Sequence, residues 1–172
     1  VGLHPLRLAY VVVFALTAVG CFVAVARARE RLEDPDTRWG LIALLATSGL
    51  WASFHVGRLV VPLAELKLTF YILGLTVGLA SVGAWLYFCS AYAGETYHRE
   101  SFYRRLAVGV FVAVVSVKVT SPIHGLYFSA TAATAPFPHL SIRLGVVHWV
   151  VTGVAYALSA VGFYILFDVF RE

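Results

Sequence analysis

Five long apolar stretches dominate the 172-residue sequence and limit the folds that it can adopt. A membrane-spanning helix needs about 20 mostly apolar residues, and each stretch approaches or exceeds that length. The predicted spans cover residues 6–26, 39–61, 66–93, 103–120 and 142–170. The sequence therefore predicts an all-α, polytopic membrane helix bundle that forms one domain over residues 1–172.

The composition supports a membrane protein and argues against a soluble one. Apolar residues make up 60% of the chain and charged residues only 13%, whereas a soluble domain carries about a quarter charged residues. The formal net charge of +4 arises because acids are scarce. We therefore expect a multi-pass protein of the plasma membrane whose loops contact lipid headgroups, with no nucleic-acid partner.

Basic residues are distributed unevenly between the two predicted sides of the membrane. One side has eight basic residues, namely Arg27, Arg29, Arg31, Arg38, Arg99, Arg104, Arg105 and Arg171. The other side has five, namely Arg7, Arg58, Lys67, Lys118 and Arg143. Because cytoplasmic loops carry an excess of Lys and Arg, we predict the N-terminus outside and the C-terminus inside.

Two histidines are predicted to lie at one depth near the outer surface. His55 lies about two turns from the outer end of the second span, and His148 about two turns into the fifth. At a rise of ~1.5 Å per residue, both lie roughly 10 Å from that end of the bundle. Trp51 and Arg58 share a helix face with His55, because they are one turn away.

A connection of about 20 residues separates the last two predicted spans. Its three prolines, at positions 122, 136 and 138, are predicted to prevent helix continuation. Long loops with aromatic residues are usually functional or fold as lids. We expect this one to fold back over the outer mouth, bringing His124, Tyr127 and His139 towards His55 and His148.

These residues together predict an outer, basic pocket, since ionisable groups at membrane depth are costly and often functional. The pocket is expected to bind an anionic small ligand or lipid headgroup, or to report pH through histidine. Its candidate ligand-binding residues are Trp51, His55, Arg58, Lys118, His124, Tyr127, His139, Arg143, His148 and Trp149.

Other interpretations of the same residues are left open by the sequence. Arg58, Lys118 and Arg143 could extend to the headgroups, and each imidazole could hydrogen-bond a neighbouring helix. No cofactor is expected, but His55 and His148 are also suited to bind a metal ion or haem iron. Asp168 is the only acid within the predicted spans, which disfavours a proton pump, and no catalytic motif is evident.

A small-residue pair in the third span predicts close helix packing. Gly74 and Gly78 form a GxxxG pattern, which lets helix backbones approach in a membrane. Packing within the bundle is the favoured interpretation, and a homodimer is the alternative.

Several segments resemble the N-terminal multi-helix sensor region of archaeal and bacterial histidine kinases. They are GAWLYFCSAYAGETYHR (83–99), VKVTSPIHGLYF (117–128), PFPHL (136–140) and GVVHWVVTG (145–153). The resemblance implies a seven-helix region that precedes PAS and kinase domains, so phosphotransfer would lie in those cytoplasmic domains. Five spans here fit either a region without its last two helices or a five-helix protein. The absence of methionine favours a fragment.

The leading functional hypothesis is therefore a membrane sensor or input module without catalytic activity of its own. The alternatives are a haem- or metal-binding membrane subunit that uses His55 and His148, and a structural subunit that packs against a larger membrane complex.

Overall fold

The computed structural model describes residues 5–135 and 139–171 and consists mainly of five long helices. These are α1 (Pro5–Arg31), α2 (Pro35–Val60), α3 (Ala64–Tyr92), α4 (Ser101–His124) and α5 (Val146–Val169). A short 3-10 helix (Tyr97–Arg99) precedes α4, and two strands, β1 (Phe128–Ala133) and β2 (His139–Leu144), precede α5. All five long helices are apolar enough to cross a membrane, which confirms the predicted polytopic helix bundle.

Helix α3 lies at the centre of the bundle, in contact with α2, α4 and α5, while α1 packs against α2. Glycines make the closest of these contacts. A Cβ atom at Gly40 of α2 would lie 2.8 Å from the Cα of Phe88 on α3. One at Gly49 would lie 3.1 Å from the Cβ of Cys21 on α1. Small residues thus let α1, α2 and α3 pack almost backbone to backbone.

The predicted GxxxG pair is used inside the bundle. A Cβ at Gly78 would lie 3.4 Å from the Trp51 indole, and one at Gly74 would lie 3.9 Å from the His55 ring. Both glycines therefore face large side chains of α2, at distances where a Cβ would make ordinary van der Waals contact. A homodimer stays a prediction, since these contacts leave it untested.

Large apolar side chains remain exposed along the outer faces of α1, α4 and α5. In a bilayer these faces contact acyl chains, so their exposure carries no penalty there. Examples are Val13, Leu16, Val108, Val112, Val154, Phe163, Tyr164 and Phe167.

The helix boundaries place four helix ends at one end of the bundle, which we call the hairpin end. Here α2 ends, α3 begins, α4 ends and α5 begins. The start of α1 lies at the same end, because Arg7 donates hydrogen bonds to the carbonyls of Leu59 and Val60, with Nε 2.7 Å from the first. The sequence predicts that this end is the outer one.

The prediction that Pro122 stops the fourth helix is wrong. Helix α4 continues through Pro122 and ends at His124. The missing proline N–H costs little so close to the helix end, where few further backbone bonds depend on it. Gly125 then ends the helix with a left-handed backbone (φ 67°), and its N–H donates to the carbonyl of Ser121 at 2.7 Å.

The expected long loop between α4 and α5 contains a β-hairpin. Its antiparallel strands pair Phe128 with Leu144 next to the helices and Ala133 with His139 at the far end. The prolines at 136 and 138 lie outside the described residues. Backbone groups near a membrane need hydrogen-bond partners, and strand pairing supplies them where an irregular loop would not.

Candidate functional site

Lys118 lies at the centre of the candidate site, two turns before the end of α4. It is 2% exposed, and its Nζ donates a hydrogen bond to the backbone carbonyl of Leu75 on α3 at 2.7 Å. The same Nζ lies 5.2 Å from the centroid of the Tyr127 ring. The alternative that Lys118 extends to the headgroups is therefore wrong, because its amino group points into the bundle.

Ser121 fixes the segment that brings Tyr127 to Lys118. Its hydroxyl is fully buried, donates to the carbonyl of Phe128 at 2.8 Å, and accepts from the N–H groups of Phe128 at 2.8 Å and Tyr127 at 3.2 Å. Tyr127 is consequently 2% exposed. Burial raises the pKa of the Tyr127 phenol to about 12, so this side chain stays neutral at physiological pH.

His148 lies in the first turn of α5 and not two turns in, as predicted. Residues 142–144 belong to β2, so α5 begins only at Val146. The imidazole meets the Tyr127 ring edge-on, with 5.3 Å between centroids. Its Nε2 lies 3.4 Å from the Thr152 hydroxyl, whereas its Nδ1 is buried without a hydrogen-bond partner in the described part of the chain.

A cavity of about 220 Å³ connects these side chains. Helices α3 and α5 form its long walls, and Trp51 of α2 closes part of one side. The lining residues are Trp51, Gly74, Leu75, Gly78, Leu79, Val82, Lys118, Tyr127, His148, Val151, Thr152, Ala155, Tyr156 and Ser159.

His55 occupies a separate, aromatic environment on α2. Its ring packs against Trp51, with 4.1 Å between centroids, and against Phe14 of α1 at 4.8 Å. Its Nδ1–H donates to the Trp51 carbonyl at 3.1 Å. Trp51 contacts His55 and also lines the cavity that contains His148, so this indole links the two predicted histidines.

The other predicted residues lie at the hairpin end but do not line the cavity among the residues described. The guanidinium of Arg58 lies 5.5 Å from the Tyr71 ring centroid, and Arg143 is exposed on β2. His124 completes the end of α4, since its Nδ1 accepts from the Leu126 N–H at 3.0 Å. His139 pairs with Ala133 at the far end of the hairpin, and Trp149 is exposed beside His148.

Comparison with protein families decides what kind of membrane protein this bundle is. A family model described as the N-terminal 7TM region of histidine kinase matches residues 9–172. The chain belongs to this family. Comparisons with curated proteins and with solved structures give no match. The family consists of sensor regions and not of catalytic domains, and membership implies association with the membrane and with cytoplasmic signalling domains.

A second polar cluster of this sensor region, at the end opposite the hairpin, was not predicted from the sequence. Asp36, in the first turn of α2, accepts from the OH of Tyr87 at 3.4 Å, from Nε2–H of His98 at 3.3 Å and from Nε–H of Arg99 at 3.0 Å. The Ser90 hydroxyl lies 3.0 Å from the other imidazole nitrogen of His98. Sequence spacing gave no signal, because Asp36 and His98 are 62 residues apart.

This Asp36 cluster joins the start of α2 to the connection between α3 and α4. The Asp36 carboxylate, through its hydrogen bonds and charge, raises the pKa of Arg99, which stays charged. The neighbouring Asp34 caps α2 by accepting from the Thr37 N–H at 2.7 Å. Hydrogen bonding to the Thr37 side chain, and then to this N–H, lowers the pKa of Asp34. The Asp34 side chain therefore stays negatively charged to lower pH. Its charge and its cap hydrogen bond both stabilise the N-terminus of α2.

Arg99→Gln is expected to lower the thermal midpoint of the purified region by a small amount, because its ion pair with Asp36 is exposed and screened by water. Raising the salt concentration should reduce the difference in thermal midpoint between the wild type and the variant, because salt screens the ion pair. Arg105→Gln is the matched control, since in the described structure Arg105 donates to Ser101 within its own helix turn and not to Asp36. An equal decrease in both variants would argue against a role for the Asp36 cluster in stability.

Proposed function

We propose that this sensor region detects a small anionic ligand in the cavity formed by Trp51, Lys118, Tyr127 and His148. The observation that supports the proposal is a buried lysine, which donates to the Leu75 carbonyl, beside an imidazole nitrogen that has no hydrogen-bond partner among the residues described. Buried polar groups are normally paired, so a cavity that leaves them incomplete is suited to a ligand that completes them. The region then serves as the non-catalytic input of a kinase.

The arrangement of α3 and α5 supports a route for the signal. Beyond the cavity the two helices meet closely where the indole of Trp85 packs on Gly162, and Trp85 Nε1–H donates to the carbonyl of Ser159 at 3.1 Å. A ligand bound between the helices, on the hairpin side of this contact, would pivot α5 about it. Trp51, which packs on Gly78, would extend the change to α2. Cytoplasmic signalling domains would receive the motion of α2 and α5.

Fusing the region to the cytoplasmic domains of a histidine kinase and measuring autophosphorylation in proteoliposomes tests this function. With acetate, decanoate and phosphate as probes, at least one anion is expected to change the rate, and His148→Ala should remove the response. His55→Ala should weaken it by loosening Trp51. His124→Ala is the control, since His124 interacts within the end of α4. Equal responses in all three variants would refute the proposed pocket.

The remaining predictions for these histidines have separate readouts. An autophosphorylation rate that changes with pH when no anion is added would assign proton sensing to the imidazoles. A haem between His55 and His148 would give a Soret absorption band that each alanine variant removes. Among the described residues, no group of three or more His, Cys, Asp or Glu side chains is arranged to hold a metal ion.

A further inference from the structure

The cavity beside Lys118 is long and follows the helix axes. Its wall on α3 extends from Gly74 to Val82, and its wall on α5 extends from His148 to Ser159. At ~1.5 Å rise per residue, these walls are about 12 Å and 16 Å long. The volume of about 220 Å³ is below that of a drug-sized site, so the cavity is a narrow groove.

The groove has one polar end and one apolar end. Lys118, Tyr127 and His148 lie at the hairpin end, whereas Leu79, Val82, Val151 and Ala155 form the walls farther along. Two hydroxyl side chains, Tyr156 and Ser159, line its far part among the described residues, and the Ser159 hydroxyl donates to the carbonyl of Ala155 at 2.8 Å within its own helix. A matching ligand therefore carries its polar group at one end and an apolar chain behind it.

The polar end is suited to one negative charge. A lysine amino group in its charged form has three donors, and Lys118 uses one of them on Leu75. No Asp or Glu lines the groove in the described part of the chain. Lys118 is the only Lys or Arg among its described lining residues. A carboxylate, with one charge and two oxygens, fits between Lys118 and His148 better than a phosphate monoester of nearly two charges.

The groove also has an opening towards the membrane. Tyr156 lines it and is 74% exposed, on a helix whose outer face is apolar. A ligand dissolved in the bilayer can enter between α3 and α5 without crossing water. Its chain then exchanges lipid contacts for protein contacts at little cost, and the carboxylate determines the affinity.

We propose that this groove binds a single-chain monocarboxylic acid, with the carboxylate at Lys118 and His148 and the alkyl chain between α3 and α5. This assignment rests on the proposed sensing function and specifies its ligand. It requires no covalent step.

Photo-crosslinking tests the assignment on the full chain in nanodiscs of zwitterionic lipid. A decanoic acid with a diazirine near its chain end should label peptides that contain residues 74–82 or 148–159, and unlabelled decanoate should compete. The methyl ester of the same probe should label these peptides at least about tenfold less, because it lacks the charge. Equal labelling by acid and ester would overturn the proposal.

Two variants examine the two ends of the groove. Lys118→Met keeps an apolar side chain of similar length, which buried sites often tolerate, and should reduce competable labelling at least about tenfold. Ala155→Phe should fill the apolar part and reduce labelling while the thermal midpoint is retained. Arg143→Gln removes an exposed cation at the same end and should leave labelling unchanged. Unchanged labelling in both groove variants would contradict the assignment.

The ligand source and the sensing function are distinguished by two further outcomes. If nanodiscs containing an anionic phospholipid abolish labelling at low mole fraction, the groove takes a lipid headgroup and the carboxylic acid assignment is wrong. If His148→Ala alters kinase output but the acid never labels the groove, only the ligand assignment fails. If the acid labels the groove without affecting kinase output, the ligand assignment stands and the sensing function fails.

Discussion

Gly145→Ala is expected to destabilise the sensor region by about 3 kcal/mol, because its new methyl group has no space. Gly145 connects β2 to α5, and a Cβ there would overlap the backbone carbonyl of Leu126 and approach that of Gly125 to 3.0 Å. The N–H of Gly145 also donates to the carbonyl of Tyr127 at 2.9 Å. Backbone atoms cannot rotate away, so the hairpin and α5 must separate.

Reversible unfolding in mixed micelles measures this change, and Gly153→Ala provides the matched control. Gly153 lies about two helix turns later, and a Cβ there would meet no atom of the described residues within 4 Å. Alanine in the middle of a helix is favoured over glycine, so this variant should gain about 0.5–1 kcal/mol. A Gly145→Ala variant as stable as the wild type would show that the close contact between Gly145 and Leu126 is absent.

The fold was predictable in outline because bilayer thickness and hydropathy restrict it strongly. The five apolar stretches become α1 to α5. The family resemblance at residues 83–99, 117–128, 136–140 and 145–153 is confirmed by the family match over residues 9–172. The prediction was wrong about the end of α4 and did not include the β-hairpin. Pro122 marks a helix end only approximately, and the strand pairing of Phe128 with Leu144 depends on tertiary contacts that no local pattern reveals.

The site was predictable in composition and less so in geometry. Lys118, Tyr127 and His148 were identified as unusual polar residues in an apolar chain, and they line one cavity with Trp51. Their depths were not predictable, because a shift of four residues in the start of α5 moves His148 from the second turn to the first. His124 satisfies local backbone groups instead, which is the commoner role of such a residue.

Ser121 was missed by sequence analysis because one serine among many carries no signal, yet its replacement should have a large effect. In Ser121→Ala the N–H groups of Tyr127 and Phe128 and the carbonyl of Phe128 lose a buried partner. Each unsatisfied buried group costs roughly 1–3 kcal/mol. Partial relaxation should limit the total to about 2–4 kcal/mol, again measured by unfolding in micelles.

Ser116→Ala is the control on the same helix, since Ser116 is exposed and its hydroxyl donates to the carbonyl of Val112 in the preceding turn of that helix. This variant should stay within about 0.5 kcal/mol of the wild type. Because Ser121 holds Tyr127 against Lys118, its loss should also reduce decanoate labelling of the groove, whereas Ser116→Ala should not. Equal free energies of unfolding and equal decanoate labelling in the two serine variants would show that Ser121 does not connect the hairpin to α4. Other contacts would then have to hold the polar end of the groove.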